Sequence, residues 1–187
     1  MAWSGIKRRV FISHYRGDRI EVDNFINLFG NKLGIFTPYV LGANNNDDFI
    51  HSSNTDYVMN QIRSKYLKDS TVTIVLLGAC THSRRYIDWE IKSSLRSGEN
   101  FTPNGLMAIV LPSQNNKAHL PSRFERNWNQ EHSNCYARYW SYPDSINQLG
   151  EWIDDAYQAR VNRLDLIDNP RDMMRYNATC KIHNVTH

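Results

Sequence analysis

Cysteine is scarce and poorly spaced for a scaffold. The three residues, Cys80, Cys135 and Cys180, are odd in number and far apart along the chain. That spacing argues against a disulfide framework or a zinc site, and it fits a reducing cytoplasm. The seven histidines show no ligand spacing either, so metal catalysis finds no clustered ligands and no cofactor is expected. Long apolar runs are missing: none approaches the roughly 20 residues that span a bilayer, and the first residues carry no signal-peptide core. The expectation is a cytoplasmic protein with no membrane partner. Charge of one sign is not in excess, since 22 Lys and Arg face 19 Asp and Glu for a net +3. This is too mild for a nucleic-acid partner, although Lys7-Arg8-Arg9 forms a small basic cluster. A Gly-x-Gly-x-x-Gly turn is absent, which counts against a dinucleotide-binding Rossmann unit, and a Gly-x-Ser-x-Gly elbow is absent, which counts against a serine hydrolase. A phosphorelay receiver needs acidic residues at the ends of the first and third strands, and Ser13-His14-Tyr15 and Leu77-Gly78-Ala79 supply none.

What is present is an alternation of strand and helix patterns. The run Arg9-Val10-Phe11-Ile12-Ser13 reads as a strand that stops at the turn formers Gly17 and Asp18. From Glu21 to Leu33 the apolar residues Val22, Phe25, Ile26, Phe29 and Leu33 follow helical spacing, and Gly34 ends the helix. Ile35 to Val40 is a second strand, placed at the sheet's edge because Pro38 cannot donate to a ladder. Gly42 to Thr55 is a polar, turn-rich loop of a length usually reserved for functional or mobile segments. Asp56 to Lys68 is amphipathic, Thr71 to Gly78 is a β-branched run of the kind buried on both faces of a parallel sheet, and Gly105 to Leu111 is another such strand. Beyond Ser113 the pattern blurs, with a short fifth strand over 137–140 and a strong helix from Ser145 to about Leu164. The order predicts an α/β, flavodoxin-like three-layer sandwich with a five-stranded parallel sheet in the order 2-1-3-4-5. It divides into a domain over 1–165 (core 7–112, then strand and helix 137–165) and a loosely docked polar tail over 166–187.

The stretch that draws attention is the helix after the third strand, Ser83 to Leu95, with Ser83 or Thr81 able to cap it. Arg84 and Arg85 fall in its first turn, where the partial positive charge of the helix end repels them. Guanidiniums and exposed N–H groups at that place would suit a phosphate. On the same helix, Ile87, Ile91 and Leu95 share a face and Glu90 lies on the flank of that stripe, without a basic partner one turn away. Asp88 and Lys92, by contrast, are spaced as an ion pair on the outer face.

A lone carboxylate beside strand ends furnished with Ser, His, Tyr and Arg is enough for one kind of chemistry. Loss of a base from a ribose builds positive charge on the sugar carbon, and a fixed carboxylate stabilises that charge. When the leaving group is already a cationic pyridinium, as in NAD+, no general acid is needed.

The residues Arg9-Val10-Phe11-Ile12-Ser13-His14-Tyr15 resemble the opening strand and loop of TIR domains. Thr73 to Gly78 with Ser83-Arg84-Arg85-Tyr86-Ile87-Asp88-Trp89-Glu90-Ile91 resembles their strand and catalytic-glutamate helix. More narrowly, the chain is similar to the TIR-like proteins of the bacterial Thoeris antiphage system (ThsB), over roughly Lys7 to Leu111. The resemblance implies cleavage of NAD+ during phage infection to give an ADP-ribose-derived, cyclic or conjugated signal that activates a partner effector. It also implies a phage-derived trigger and self-association. By position, Glu90 matches the catalytic glutamate, Ser13, His14 and Tyr15 match the loop lining the NAD+ pocket, and Gly42–Thr55 matches the mobile loop beside it. Asp48 in that loop and Arg84 complete the substrate-binding candidates. Arg9 stands where many TIR domains have an acidic residue, the late Phe-Trp motif is not evident, and the C-terminal region is longer. A nucleoside deoxyribosyltransferase-like enzyme and a non-catalytic TIR scaffold are the competing readings.

Overall fold

The computed structural model describes residues 4–40, 54–99 and 101–186. Residues 41–53, which hold Asp48 and most of the loop expected over Gly42–Thr55, lie outside the described residues. Five strands, β1 (Arg8–His14), β2 (Phe36–Val40), β3 (Val72–Leu77), β4 (Gly105–Val110) and β5 (Arg138–Trp140), form one sheet in the order β2-β1-β3-β4-β5. Every pairing is parallel, with Val10 opposite both Pro38 and Val72. Pro38 is on the edge strand, where its missing donor costs least.

Alternation along the strands sorts side chains to two faces. Val10, Ile12, Val72, Ile74, Leu76, Met107 and Ile109 pack under α1 (Arg19–Phe25) and α5 (Ile146–Asn162). Phe11, Val75, Leu77, Leu106, Ala108 and Val110 face α2 (Thr55–Ile62), α3 (Arg85–Ser94) and α4 (Ser122–Glu125). Both faces being covered explains why β3 and β4 read as continuous apolar runs. The first helix continues as a π-helical segment over Ile26–Lys32 and ends at Gly34, whose φ of 65° is the left-handed conformation a side chain resists. A second π-helical segment, Arg63–Leu67, extends α2.

Three sequence expectations are corrected by packing. Asp88 is not on an outer face paired with Lys92. It is buried, and its carboxylate accepts from Arg123 Nε at 2.9 Å and Nη2 at 3.3 Å. Arg123 comes from α4, in the stretch where periodicity fails, so a pair 35 residues apart in sequence was invisible. Neither Ser83 nor Thr81 caps α3. The Ser83 hydroxyl donates to the Cys80 carbonyl, the Thr81 hydroxyl accepts from the Gly78 N–H, and the cap position is held by Arg84. The acceptor comes from the tail, where Asn177 Oδ1 takes the Arg85 N–H at 3.0 Å. The tail itself is not loosely docked. It runs along the outer side of α3, where the Met174 carbonyl accepts from Trp89 Nε1, the Met174 N–H donates to Asp88, and the Ala178 N–H donates to the Ser83 carbonyl. Backbone groups paired to a neighbouring helix leave no periodic side-chain pattern, which is why this docking is silent in the sequence.

Replacing Asp88 by Ala strands a fully buried guanidinium. The expected loss is about 3–5 kcal/mol, read from denaturant unfolding. A loss below about 1 kcal/mol would mean that the pair is reachable by water.

Candidate functional site

The site lies outside the carboxyl ends of β1 and β3, between the β1–α1 turn and the β3–α3 turn, as the sheet's topology dictates. Ser13 is on the face of β1 that carries Phe11, so its hydroxyl points toward α3, where it donates to Glu90 Oε2 at 2.5 Å. Both residues are buried, Glu90 at 4% exposure. The flank position read from the helix wheel is therefore a buried one, on the side of α3 that faces the end of β1. Among the described residues, the Ser13 hydroxyl is the partner that Glu90 has. Burial pushes its carboxyl up to about 8 against the weaker opposing pull of that hydrogen bond.

Arg84 is the second buried, under-satisfied group. Its guanidinium lies 3.8 Å from the centre of the Tyr15 ring, which holds it in place by cation–π contact. Nε and Nη2 are buried with no hydrogen-bond partner among the described residues. Glu90 is six residues further along α3, roughly 9 Å of helix axis from Arg84. Arg85 is different: Nη1 and Nη2 are spent on the Arg175 carbonyl and the Tyr86 hydroxyl. Two arginines that looked equivalent in sequence divide into one that leans outward into the tail and one kept inside with donors to spare.

The structure thus brings Ser13 to Glu90 and Tyr15 to Arg84. It does not bring His14 to them. Alternation places His14 on the opposite face of β1, toward α1, where burial and then Arg19 lower its pKa. Asp18, read from sequence as a turn former, packs its carboxylate against Gly78 and Thr81 of the turn after β3. A Cβ at Gly78 would collide with its carboxylate and push the Asp18 side chain aside, and burial raises the Asp18 pKa to about 6 against a hydrogen bond from Thr81. Nothing in the pattern Arg16-Gly17-Asp18 distinguishes this from an ordinary polar turn. The cysteines are a further correction. Cys80 and Cys180, 100 residues apart in sequence, are side by side with sulfurs 2.7 Å apart, and His183 Nδ1 is 3.2 Å from Cys80 Sγ. Separation along the chain was a poor guide because the tail folds back over the β3–α3 turn.

A parallel 2-1-3-4-5 sheet, with a glutamate from the helix after β3 buried against the end of β1, defines a TIR-like α/β domain. Residues 11–116 match the family model described as Thoeris protein ThsB, TIR-like domain, and the chain belongs to that family. Membership implies a role in antiphage defence and a signalling partner. No curated protein matches the chain. Among the described residues no helix is long and apolar enough to cross a membrane.

Burial of Glu90 also changes what its replacement does to stability. Its folded-state pKa of about 8 lies above the ordinary 4.5. The stability this group contributes is therefore fully present at low pH and is lost as pH rises through about 8. Glu90→Gln removes that dependence. The melting temperature of the wild type should fall relative to the variant from about pH 4.5 to about pH 8 and level off above that, and two parallel curves would show that Glu90 is reached by solvent.

Proposed function

We propose that this chain cleaves the bond between nicotinamide and ribose in NAD+. It releases nicotinamide and forms an ADP-ribose-derived nucleotide, cyclic or conjugated, that activates a separate effector during phage infection. The observation that carries the reading is Glu90, a buried carboxyl whose described partner is a single hydroxyl. A structural carboxyl at such depth is normally paired, as Asp88 of the same helix is with Arg123 of α4.

The chemistry follows from charge. In the free protein Glu90 is held mostly protonated near neutral pH by burial. A pyridinium ribose placed against it favours the ionised form, and the proton goes to solvent. As the C–N bond breaks, its electron pair leaves with the nicotinamide nitrogen and the positive charge moves to the sugar carbon. The carboxylate then faces that cation in a site of low dielectric, where its stabilisation is largest. Water or a nucleotide hydroxyl, its proton passing to the Glu90 carboxylate or to solvent, or else a nucleotide ring nitrogen, bonds to the sugar carbon and completes the substitution. The Ser13 hydroxyl holds the carboxylate's orientation. Arg84, with Nε and Nη2 unfilled and a position one to two turns from Glu90, suits the pyrophosphate on the same substrate.

The test is nicotinamide release and nucleotide production by the purified full chain, with assembly or trigger supplied as needed. Glu90→Gln should lower turnover by a factor on the order of a hundred or more while the protein stays folded. Glu90→Asp, which keeps the charge but withdraws it, should also be badly impaired. Turnover of deoxynucleosides in place of NAD+ would favour the transferase reading. A folded Glu90→Gln protein that still makes the signal at wild-type level would favour the scaffold.

The two arginines give an independent check. Arg84→Gln should weaken NAD+ use by about 1–3 kcal/mol, the range for a lost charge-assisted contact. Arg85→Gln should leave kcat/KM within a factor of about two, since its guanidinium serves the tail. Equal effects at the two positions would remove Arg84 from the substrate site.

A further inference from the structure

The turn after β3 and the end of the tail meet at a cluster that the chemistry above does not use. Cys80 Sγ, Cys180 Sγ and His183 Nδ1 lie within 4.8 Å of one another. Cys80 and Cys180 are buried and His183 is exposed. The tail side of the cluster is a built turn. Cys180 and His183 are separated by two residues, and the backbone N–H groups of Ile182 and His183 donate back to Cys180 Sγ. The Asn184 N–H returns to the Cys180 carbonyl at 2.8 Å, the Cys180 N–H goes to the Val185 carbonyl at 2.8 Å, and a bridge between Thr179 and Thr186 closes the base. From Thr179 to Thr186 the one buried side chain is Cys180, so apolar packing contributes little to holding this turn in place.

We propose that Cys80, Cys180 and His183 form a zinc site with three protein ligands and a fourth position open to water. Two sulfurs and an imidazole are a donor set that zinc favours over harder cations. Tetrahedral bonds of about 2.3 Å to each sulfur and about 2.0 Å to the nitrogen set the sulfurs roughly 3.7 Å apart, so binding opens their 2.7 Å contact by about 1 Å. Backbone N–H groups aimed at the Cys180 sulfur favour its thiolate, whereas burial holds the proton on Cys80, so there the metal itself must displace it. Binding releases the two thiol protons to solvent. The two thiolates then balance the charge of Zn2+, which lets the group remain buried beside Arg84. A disulfide between the two sulfurs would leave the imidazole at 3.2 Å without a role, and the convergence of all three donors favours the ion. The ion ties the tail to the turn that carries Arg84 into α3, so its effect on the proposed reaction is one of positioning.

The experiment uses the full chain, purified under reducing conditions without chelator, with zinc measured by elemental mass spectrometry. The expected result is about one zinc ion per chain. Replacement by Co2+ should give thiolate-to-cobalt charge-transfer bands and the intense visible absorption of a four-coordinate site. Cys180→Ser and His183→Ala should each lower zinc retention by tenfold or more, while Cys135→Ser retains it. His183→Ala alters an exposed side chain, so its circular dichroism should match the wild type and the loss of metal can be read on a folded protein. The proposal is overturned if the wild type carries no zinc and its cobalt spectrum lacks the thiolate bands. It is equally overturned if zinc persists in both Cys180→Ser and His183→Ala, or if the chain isolates with Cys80 and Cys180 joined as a disulfide.

Discussion

Helix α3 buries two carboxyl groups, and they are treated in opposite ways. Asp88 is neutralised by a guanidinium that is itself tied to Asn169 and to the Asp172 carbonyl, so this pair locks α3, α4 and the tail into one unit. Glu90, two residues on, is given a hydroxyl and no cation among the described residues. The first arrangement supports the second. A rigid α3, pinned on its outer side, can hold an uncompensated carboxyl against the end of β1, and the cost of doing so is met by the surrounding core. A carboxyl kept in that condition responds strongly to any positive charge brought beside it, and a pyridinium ribose is such a charge.

Much of the fold was legible because it depends on local rules. β-branched apolar runs bounded by turn residues marked the strands, Pro38 marked the edge, Gly34 marked the end of the first helix, and strand–helix alternation required the parallel 2-1-3-4-5 sheet. What could not be read depends on meetings between distant segments. Arg123 sits in a polar stretch with no periodicity, yet it partners Asp88. Asn177 caps a helix that begins 92 residues earlier. The tail's contacts are largely backbone to backbone or side chain to backbone, and these leave no hydrophobic signature.

The site was half legible for the same reason. Glu90 and Ser13 were candidates on position, but the helix wheel put Glu90 on a flank and could not tell that this flank would be buried against the end of β1. Arg84 stood out because a cation at a helix start breaks an electrostatic rule; its twin Arg85 broke the same rule for an unrelated reason, contact with the tail. His14 shares the motif with Ser13 and Tyr15, yet the two-residue period of a strand sends it to the other face. Asp18 and the thiol–imidazole cluster gave no signal, since a turn aspartate and a lone cysteine are common in chains that use neither.

The central claim is that the Glu90 carboxyl is neutral in the free protein and becomes a carboxylate when the cationic substrate arrives. The most direct measurement is a carbon-13 NMR titration of the Glu90 side-chain carboxyl, assigned by its absence in Glu90→Gln, in the free protein and with saturating NAD+ or NADH. The account predicts titration near pH 8 in the free protein. It also predicts a marked fall with NAD+, whose nicotinamide ring is positively charged, and little fall with NADH, whose ring is neutral. Titration at the ordinary carboxyl value in the free protein, or an equal response to the two nucleotides, would contradict it.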